Sequence, residues 1–257
     1  MGLKMARPRW FDGTALCVGS MAPDIAYSVS GYLHVDTHDS DGLWQVDLPL
    51  ALLVTFLVRW GAASVAAGHL PDLGGFRLHS WRVLHRRWPK WWLTVASCAL
   101  GTLTHVALDS FTHPGRAGVR WLGYDDVEFH LWGVVEPLAS VFQLIGHTFG
   151  SMVGLWLLLI IGKRHLLEQW YSADDVDRSR HFAVSLAARV VFWGLVAAGI
   201  AVGAWWGWNG DSVERVHRPA VGAMFAVFAA SALPICRPTT SPVPIPVRVV
   251  ARGPQPR

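Results

Sequence analysis

Residues 101–114 read GTLTHVALDSFTHP, and this stretch closes a longer apolar run. An apolar run of that length predicts a helix that crosses a bilayer. His105, Asp109 and His113 recur at intervals of four, so a helix places all three on one face. Pro114 predicts the end of the helix just after His113. Ionisable groups in a membrane segment are energetically costly and usually face a protein interior or a water-filled cavity. This row of three ionisable residues, the stripe, therefore predicts a functional site.

The composition is that of a membrane protein. Of the 257 residues, 52% are hydrophobic and only 16% are charged, and the mean hydropathy is +0.32. The basic residues border apolar runs and form no single patch, so the formal net charge of +4 points to the lipid bilayer as partner and not to nucleic acid. The three cysteines are far apart, which argues against a disulfide framework and a cysteine-based zinc site.

The apolar runs predict an all-α fold, a polytopic transmembrane helical bundle of about six spans. Residues 130–162 are too long for one untilted crossing and too short for two comfortable ones. A single crossing, preceded by an interfacial or tilted lead-in over 130–141, places most Lys and Arg on one side of the membrane. By the positive-inside rule, both termini are then cytoplasmic in a bacterial plasma membrane. The predicted spans are 14–33, 48–68, 91–113, one within 130–162, 182–207 and 219–235.

Four regions follow from this pattern. Residues 1–13 form a basic N-terminal arm, and 14–162 form the membrane domain that carries the His/Asp motif. Residues 163–236 hold a C-terminal pair of transmembrane helices. The Pro- and Arg-rich tail, 237–257, is predicted to be disordered.

The predicted topology brings further ionisable groups to the same end of the membrane as the stripe. Asp24 follows a helix-interrupting proline in the first span, and the acidic loop after that span holds His34 and His38. Imidazole and carboxylate together are ligands for zinc, iron or manganese. We expect a divalent ion, such as zinc, held by Asp24, His105 and Asp109. His113 and His38 are the candidates that complete the metal site or act catalytically by moving a proton.

A structural interpretation stays open beside the metal site. In it, Asp24 forms a salt bridge with Arg59 or with a protonated histidine and holds helices together. Weaker candidates for the site, which more often serve helix packing or lie in solvated loops, are His34, His130, Glu136, Gln143 and His147.

Three motifs carry a resemblance to a known family. They are GSMAPD at 19–24, His38 followed by DLPL at 47–50, and THxxxDSFTH at 104–113. Over about residues 14–162 the chain resembles a family of bacterial integral membrane proteins of unknown function. More distantly, it is similar to inner-membrane metal-dependent hydrolases. The resemblance implies a polytopic helical membrane protein whose matching positions are Asp24, His38, His105, Asp109 and His113.

The chain departs from this family near its start. Members usually carry a Ser-His pair before the first apolar run, where this chain has residues 9–12, RWFD. If that histidine is a ligand in the family, this protein has a reduced site, recruits His34, His130 or His147, or has lost catalysis.

The sequence thus favours a metal-dependent hydrolase of an ester or phosphoester bond, acting on a lipid or lipid-linked substrate. The alternative is a non-catalytic membrane protein that uses the same cluster, either a carrier for protons or metal ions or a structural bundle. Charged groups at several depths favour transport, and confinement to one end favours hydrolysis or binding. The oligomeric state is left open.

Overall fold

The computed structural model describes residues 1–29, 32, 37–38, 40–71, 73–131, 133–171, 184–210 and 212–238. His34 and nearly all of the tail predicted to be disordered lie outside the described residues. The α-helices are α1 (Gly2–Ala6), α2 (Gly13–Tyr27), α3 (Leu43–His69), α4 (Val83–Arg86), α5 (Trp91–Asp109), α6 (Ala117–Leu122), α7 (Leu138–Lys163), α8 (Leu166–Trp170), α9 (Leu186–Gly207) and α10 (Ser212–Ala232). Two strands, β1 (Glu128–Leu131) and β2 (Val134–Pro137), form an antiparallel hairpin.

The fold is all-α apart from this hairpin, as predicted. Within the described part of the chain, α3, α5, α7 and α9 are each long and apolar enough to cross a membrane. The two remaining long helices differ from them. α2 has 15 residues, fewer than the roughly 20 that a span needs, and the first half of α10 carries Glu214, Arg215 and Arg218. The count of about six spans stays a prediction.

The region before α7 differs from the sequence prediction. Residues 114–129, which lie between two predicted spans, contain α6. The expected lead-in over 130–141 begins within the β-hairpin, which turns at Gly133 with φ +83°. A positive φ is a conformation that glycine adopts without steric cost. After the hairpin the chain continues as the single helix α7.

Helices α2 and α5 lie side by side and run in the same direction. At one end, the backbone N–H of Asp12 donates to Ser97 Oγ at 2.9 Å. Midway, Thr102 Oγ1 donates to the Gly19 carbonyl at 3.1 Å. A Cβ built on Gly19 would collide with the backbone of Cys98. The helices therefore touch at backbone distance, as small residues allow in membrane bundles.

A buried ion pair lies at one end of the contact between α2 and α5, which we call the seam. This is the end at which α2 begins. Arg59 Nη2 lies 2.6 Å from Asp12 Oδ1, and the side chains are 1% and 0% exposed. Asp12 is also the N-cap of α2 and accepts from the amides of Thr14 and Ala15. Arg59 lies in a π-helical turn of α3, Val58–Ala62, so this pair joins α3 to the α2–α5 seam.

A candidate metal centre at one end of the helices

The candidate site lies at the other end of the seam, where α2 and α5 end. Asp24 is in the last turn of α2, and His105 and Asp109 are in the last two turns of α5. His38 comes from the connection between α2 and α3. Because α2 and α5 are parallel and closely packed, their ends meet, and the predicted pairing of Asp24 with His105 is present.

Four of the predicted residues lie together, and three of them, Asp24, His38 and His105, have ligand atoms that are mutually close. Asp109 Oδ2 lies 3.0 Å from His105 Nε2 and 3.2 Å from His38 Nε2. Asp24 Oδ1 lies 3.6 Å from the same His105 nitrogen. One ligand atom each of Asp24, His38 and His105 lies within 4.8 Å of the other two. Two atoms that each bind zinc at about 2.0–2.2 Å are separated by roughly 3–3.5 Å, so these spacings fit a shared cation.

His105 provides the test of that fit. Its Nε2 atom is buried and lies 3.0 Å from Asp109 Oδ2 and 3.6 Å from Asp24 Oδ1. One imidazole N–H can satisfy only one of these two carboxylates. A cation among these atoms would satisfy the nitrogen and both carboxylates, so the residues present fit a divalent metal.

The surroundings of His38 hold its ring in place. The Oγ1 atom of Thr37 lies 3.1 Å from His38 Nδ1 and donates to the Pro23 carbonyl at 3.5 Å. The edge of the Tyr27 ring faces the imidazole. A partner on Nδ1 leaves Nε2 directed toward Asp109, as is usual for histidines that bind metals. The sequence prediction missed Thr37, although it precedes His38 as Thr104 and Thr112 precede the other two histidines.

His113 lies beside the four converging residues. α5 ends at Asp109, short of Pro114, so His113 falls in the following turn, with its Nδ1 3.8 Å from Asp109 Oδ1. Its Nε2 lies 2.8 Å from the amide nitrogen of Gln143 on α7. An amide nitrogen only donates, so that imidazole nitrogen accepts. In the neutral ring the proton is then on Nδ1, the atom that faces Asp109.

The weaker candidates lie apart from the cluster. His130 is 67% exposed on the hairpin, 3.6 Å from Glu128, and Glu136 is exposed on the facing strand. His147 is exposed on α7, one turn beyond Gln143. The alternative salt bridge between Asp24 and Arg59 is wrong, because Arg59 is buried against Asp12 at the opposite end of α2.

An apolar cavity of about 490 Å³ runs along α2 from its start toward the cluster. Gly13 and Thr14 line one end of it. Met21 and Ile25, within one turn of Asp24, line it near the cluster. Its volume falls in the range of small-molecule sites, roughly 300–1,000 Å³.

A family model described as "Domain of unknown function (DUF4184)" matches residues 2–235, nearly the whole chain. No curated protein and no solved structure matches it.

Proposed function

The chain belongs to the DUF4184 family, a family of unknown function, and we propose that it is a metal-dependent hydrolase of an ester or phosphoester bond. Its metal ligands are Asp24, His38, His105 and Asp109. We place it in the bacterial plasma membrane with both termini in the cytoplasm, so that the cluster faces outward.

The observation that supports this proposal is that two carboxylates, those of Asp24 and Asp109, lie beside one buried imidazole nitrogen, Nε2 of His105. A single N–H can neutralise only one of these carboxylates, whereas a divalent cation would neutralise both. The chemistry that a bound divalent cation supplies is Lewis-acid activation of water and stabilisation of negative charge on the reacting ester.

The residues of the chain have distinct roles in this proposal. Asp109 lies between His105 and His38 and sets the orientation of both rings. His113 positions Asp109, because its Nε2 accepts from Gln143 and the ring proton is then on Nδ1, the atom that faces Asp109. His38 is the candidate for the proton transfer from water if the ion is held without it. Hydrolysis adds water across the bond, so the leaving oxygen takes up a proton as the water oxygen bonds to carbon or phosphorus.

The apolar cavity supports a lipid or lipid-linked substrate. Its lining near the cluster, Met21 and Ile25, lies next to Asp24 on α2. The cluster residues do not themselves line the cavity, so in this proposal the ester or phosphoester group of a bound lipid extends from Ile25 toward Asp24. A lipid tail that enters the cavity moves from one apolar environment to another, so the apolar lining accommodates it without burying a polar group.

A carrier of protons or metal ions is the alternative. Such a carrier needs a polar path through the membrane. The cluster and the Asp12–Arg59 pair lie at opposite ends of the α2–α5 seam, and between them the helices touch at Gly19 and Gly101. This seam therefore has no room for an ion, which favours a site confined to one end.

Metal content tests the proposal directly. We expect detergent-purified protein, loaded with zinc or manganese and then dialysed, to retain about one ion per chain. We expect His105→Ala and Asp109→Asn to lose it, since each removes a group at the centre of the cluster. His130→Ala is the matched control, because this exposed histidine lies outside the cluster, and it should retain the ion.

Activity is then assayed on phospholipids and lipid-linked phosphoesters in mixed micelles, with and without chelator. Full ion retention by His105→Ala, or no retention by the wild-type protein, would show that the cluster is not a metal site. A bound ion without hydrolysis of any substrate, together with ion uptake into proteoliposomes, would favour the carrier.

A further inference from the structure

A second polar pocket lies at the end of the helices opposite to the His/Asp cluster. It has a volume of about 460 Å³ and lies between α3, the end of α4 and the segment that follows α10. Trp60, Gly61 and Ser64 of α3 form one side, and Ser231 lies on the facing helix. The pocket is therefore separate from the candidate metal centre.

Three arginines line this pocket, namely Arg82, Arg86 and Arg237. Among its described lining residues there is no Asp or Glu. Arg82 is 5% exposed, and its Nη2 atom lies next to the position that a side chain would occupy at residue 68, which is glycine. Arg86 is exposed at the rim. The lining thus concentrates positive charge around a space that a small anion can enter.

Neighbouring groups hold Arg237 toward the same space. Its Nε donates to the Ser231 carbonyl at 3.3 Å, and its guanidinium carbon lies 5.9 Å from the centre of the Trp60 ring. The second contact is within the range of a cation–π interaction. A guanidinium held in this way keeps its remaining N–H groups available for an anion.

We propose that this arginine pocket binds a phosphate group, carried by an anionic membrane lipid or free in solution. Planar guanidinium groups match phosphate oxygens with paired hydrogen bonds. Basic pockets between membrane helices bind anionic lipid headgroups, and Trp60 is typical of the headgroup zone. Burial and the charge of Arg86 lower the pKa of Arg82 to about 10, a cost that a bound anion would relieve.

Lipid binding by detergent-purified protein tests the lipid source. In native mass spectrometry, the wild-type protein should retain phosphatidylglycerol in preference to phosphatidylcholine. Arg237→Gln and Arg86→Gln should each reduce this preference about ten-fold, because each removes a charged hydrogen-bond donor. Both substitutions change exposed side chains, so the folded state should be retained and a reduced preference can be assigned to the pocket. Arg164→Gln, an exposed arginine at the same end but outside the pocket, should leave the preference unchanged.

A second arm tests free phosphate. Inorganic phosphate at millimolar concentration should displace phosphatidylglycerol from the wild-type protein if the pocket recognises the phosphate group itself. Binding of phosphate with no preference for the anionic lipid would assign the pocket to a soluble phosphate. Equal retention of both lipids with no effect of phosphate, or an unchanged preference in Arg237→Gln, would overturn the proposal.

Discussion

The Arg59→Met variant tests how the seam is held together. Arg59 is 1% exposed. It donates to Asp12, to Thr14 Oγ1 at 3.2 Å, and to the carbonyls of Leu84 and Arg87 at 3.2 and 2.8 Å. Removal of the guanidinium leaves the Asp12 carboxylate buried without a cation and two carbonyls without donors. Loss of one partner of a buried pair costs about 3–5 kcal/mol.

At roughly 2–4 °C per kcal/mol for a chain of this size, the melting temperature should fall by roughly 6–20 °C. The measurement is thermal unfolding in detergent, followed by tryptophan fluorescence. Arg189→Met is the control, because this arginine is exposed on α9, and its effect should stay within about 0.5 kcal/mol.

A double-mutant cycle separates the ion pair from simple loss of packing. Asp12→Asn keeps the N-cap of α2 but removes the negative charge. When it is combined with Arg59→Met, the double variant should be more stable than the sum of the single effects predicts, with a coupling of about 1–3 kcal/mol. Additive effects, or an Arg59→Met variant as stable as the wild type, would refute the reasoning.

Three further predictions concern packing, pH and metal. Gly19→Ala should destabilise the protein by about 1–3 kcal/mol, because the added methyl group collides with the backbone of α5. Gly150→Ala, where the methyl group meets open space on α7, should be neutral or slightly stabilising in the same melting assay. Equal effects of the two substitutions would contradict the close contact. Burial raises the pKa of Tyr171 above 10.0, so the folded state binds the phenol proton more tightly than the unfolded state. The protonated phenol therefore contributes to folding stability below pH 10, and this contribution is lost as pH rises through the pKa of the folded state. Tyr171→Phe should show a smaller loss of stability above pH 10, by alkaline titration of the melting temperature, and an identical loss would contradict this. Removal of metal by a chelator should lower the melting temperature, since a ligand at one hundred times its Kd stabilises by about 2.7 kcal/mol; a chelator should have no effect on Asp109→Asn.

The helix that carries the candidate site could be predicted from sequence because its signal is local. A long apolar run and a four-residue spacing are enough to place His105 and Asp109 on one helical face. The meeting of Asp24 with His105 could also be predicted, since it follows from the relative direction of two apolar segments.

The end of that helix could not be predicted from Pro114 alone. Ser110 Oγ donates to the Ala107 carbonyl at 2.7 Å, and Thr112 Oγ1 donates to the Leu108 carbonyl at 3.3 Å. Hydroxyls that bond to nearby carbonyls compete with regular helix. These two hydroxyl hydrogen bonds lie where α5 ends, at Asp109. His113 therefore lies in the turn after the helix and contacts Gln143 on α7.

Two other features depend on distant parts of the chain. The partner of Arg59 is Asp12, which lies in the stretch predicted to be only a basic arm, and no local pattern links residues 47 positions apart. The β-hairpin was missed because residues 130–162 were interpreted as one apolar run, although Gly133 and the Glu136–Pro137 pair interrupt it. A short apolar segment next to a long one cannot be assigned to a strand from hydrophobicity alone.

The contact between α2 and α5 has a consequence for ion size. Gly19 and Gly101 fix the distance between the two helix axes, and Asp24 and His105 extend from those helices beyond the contact. In the proposed metal site, the separation of these two side chains would be determined by the two glycines, which do not contact the ion. The close helix contact would therefore influence whether the site prefers cations with bonds of about 2.0–2.2 Å or of about 2.3–2.6 Å.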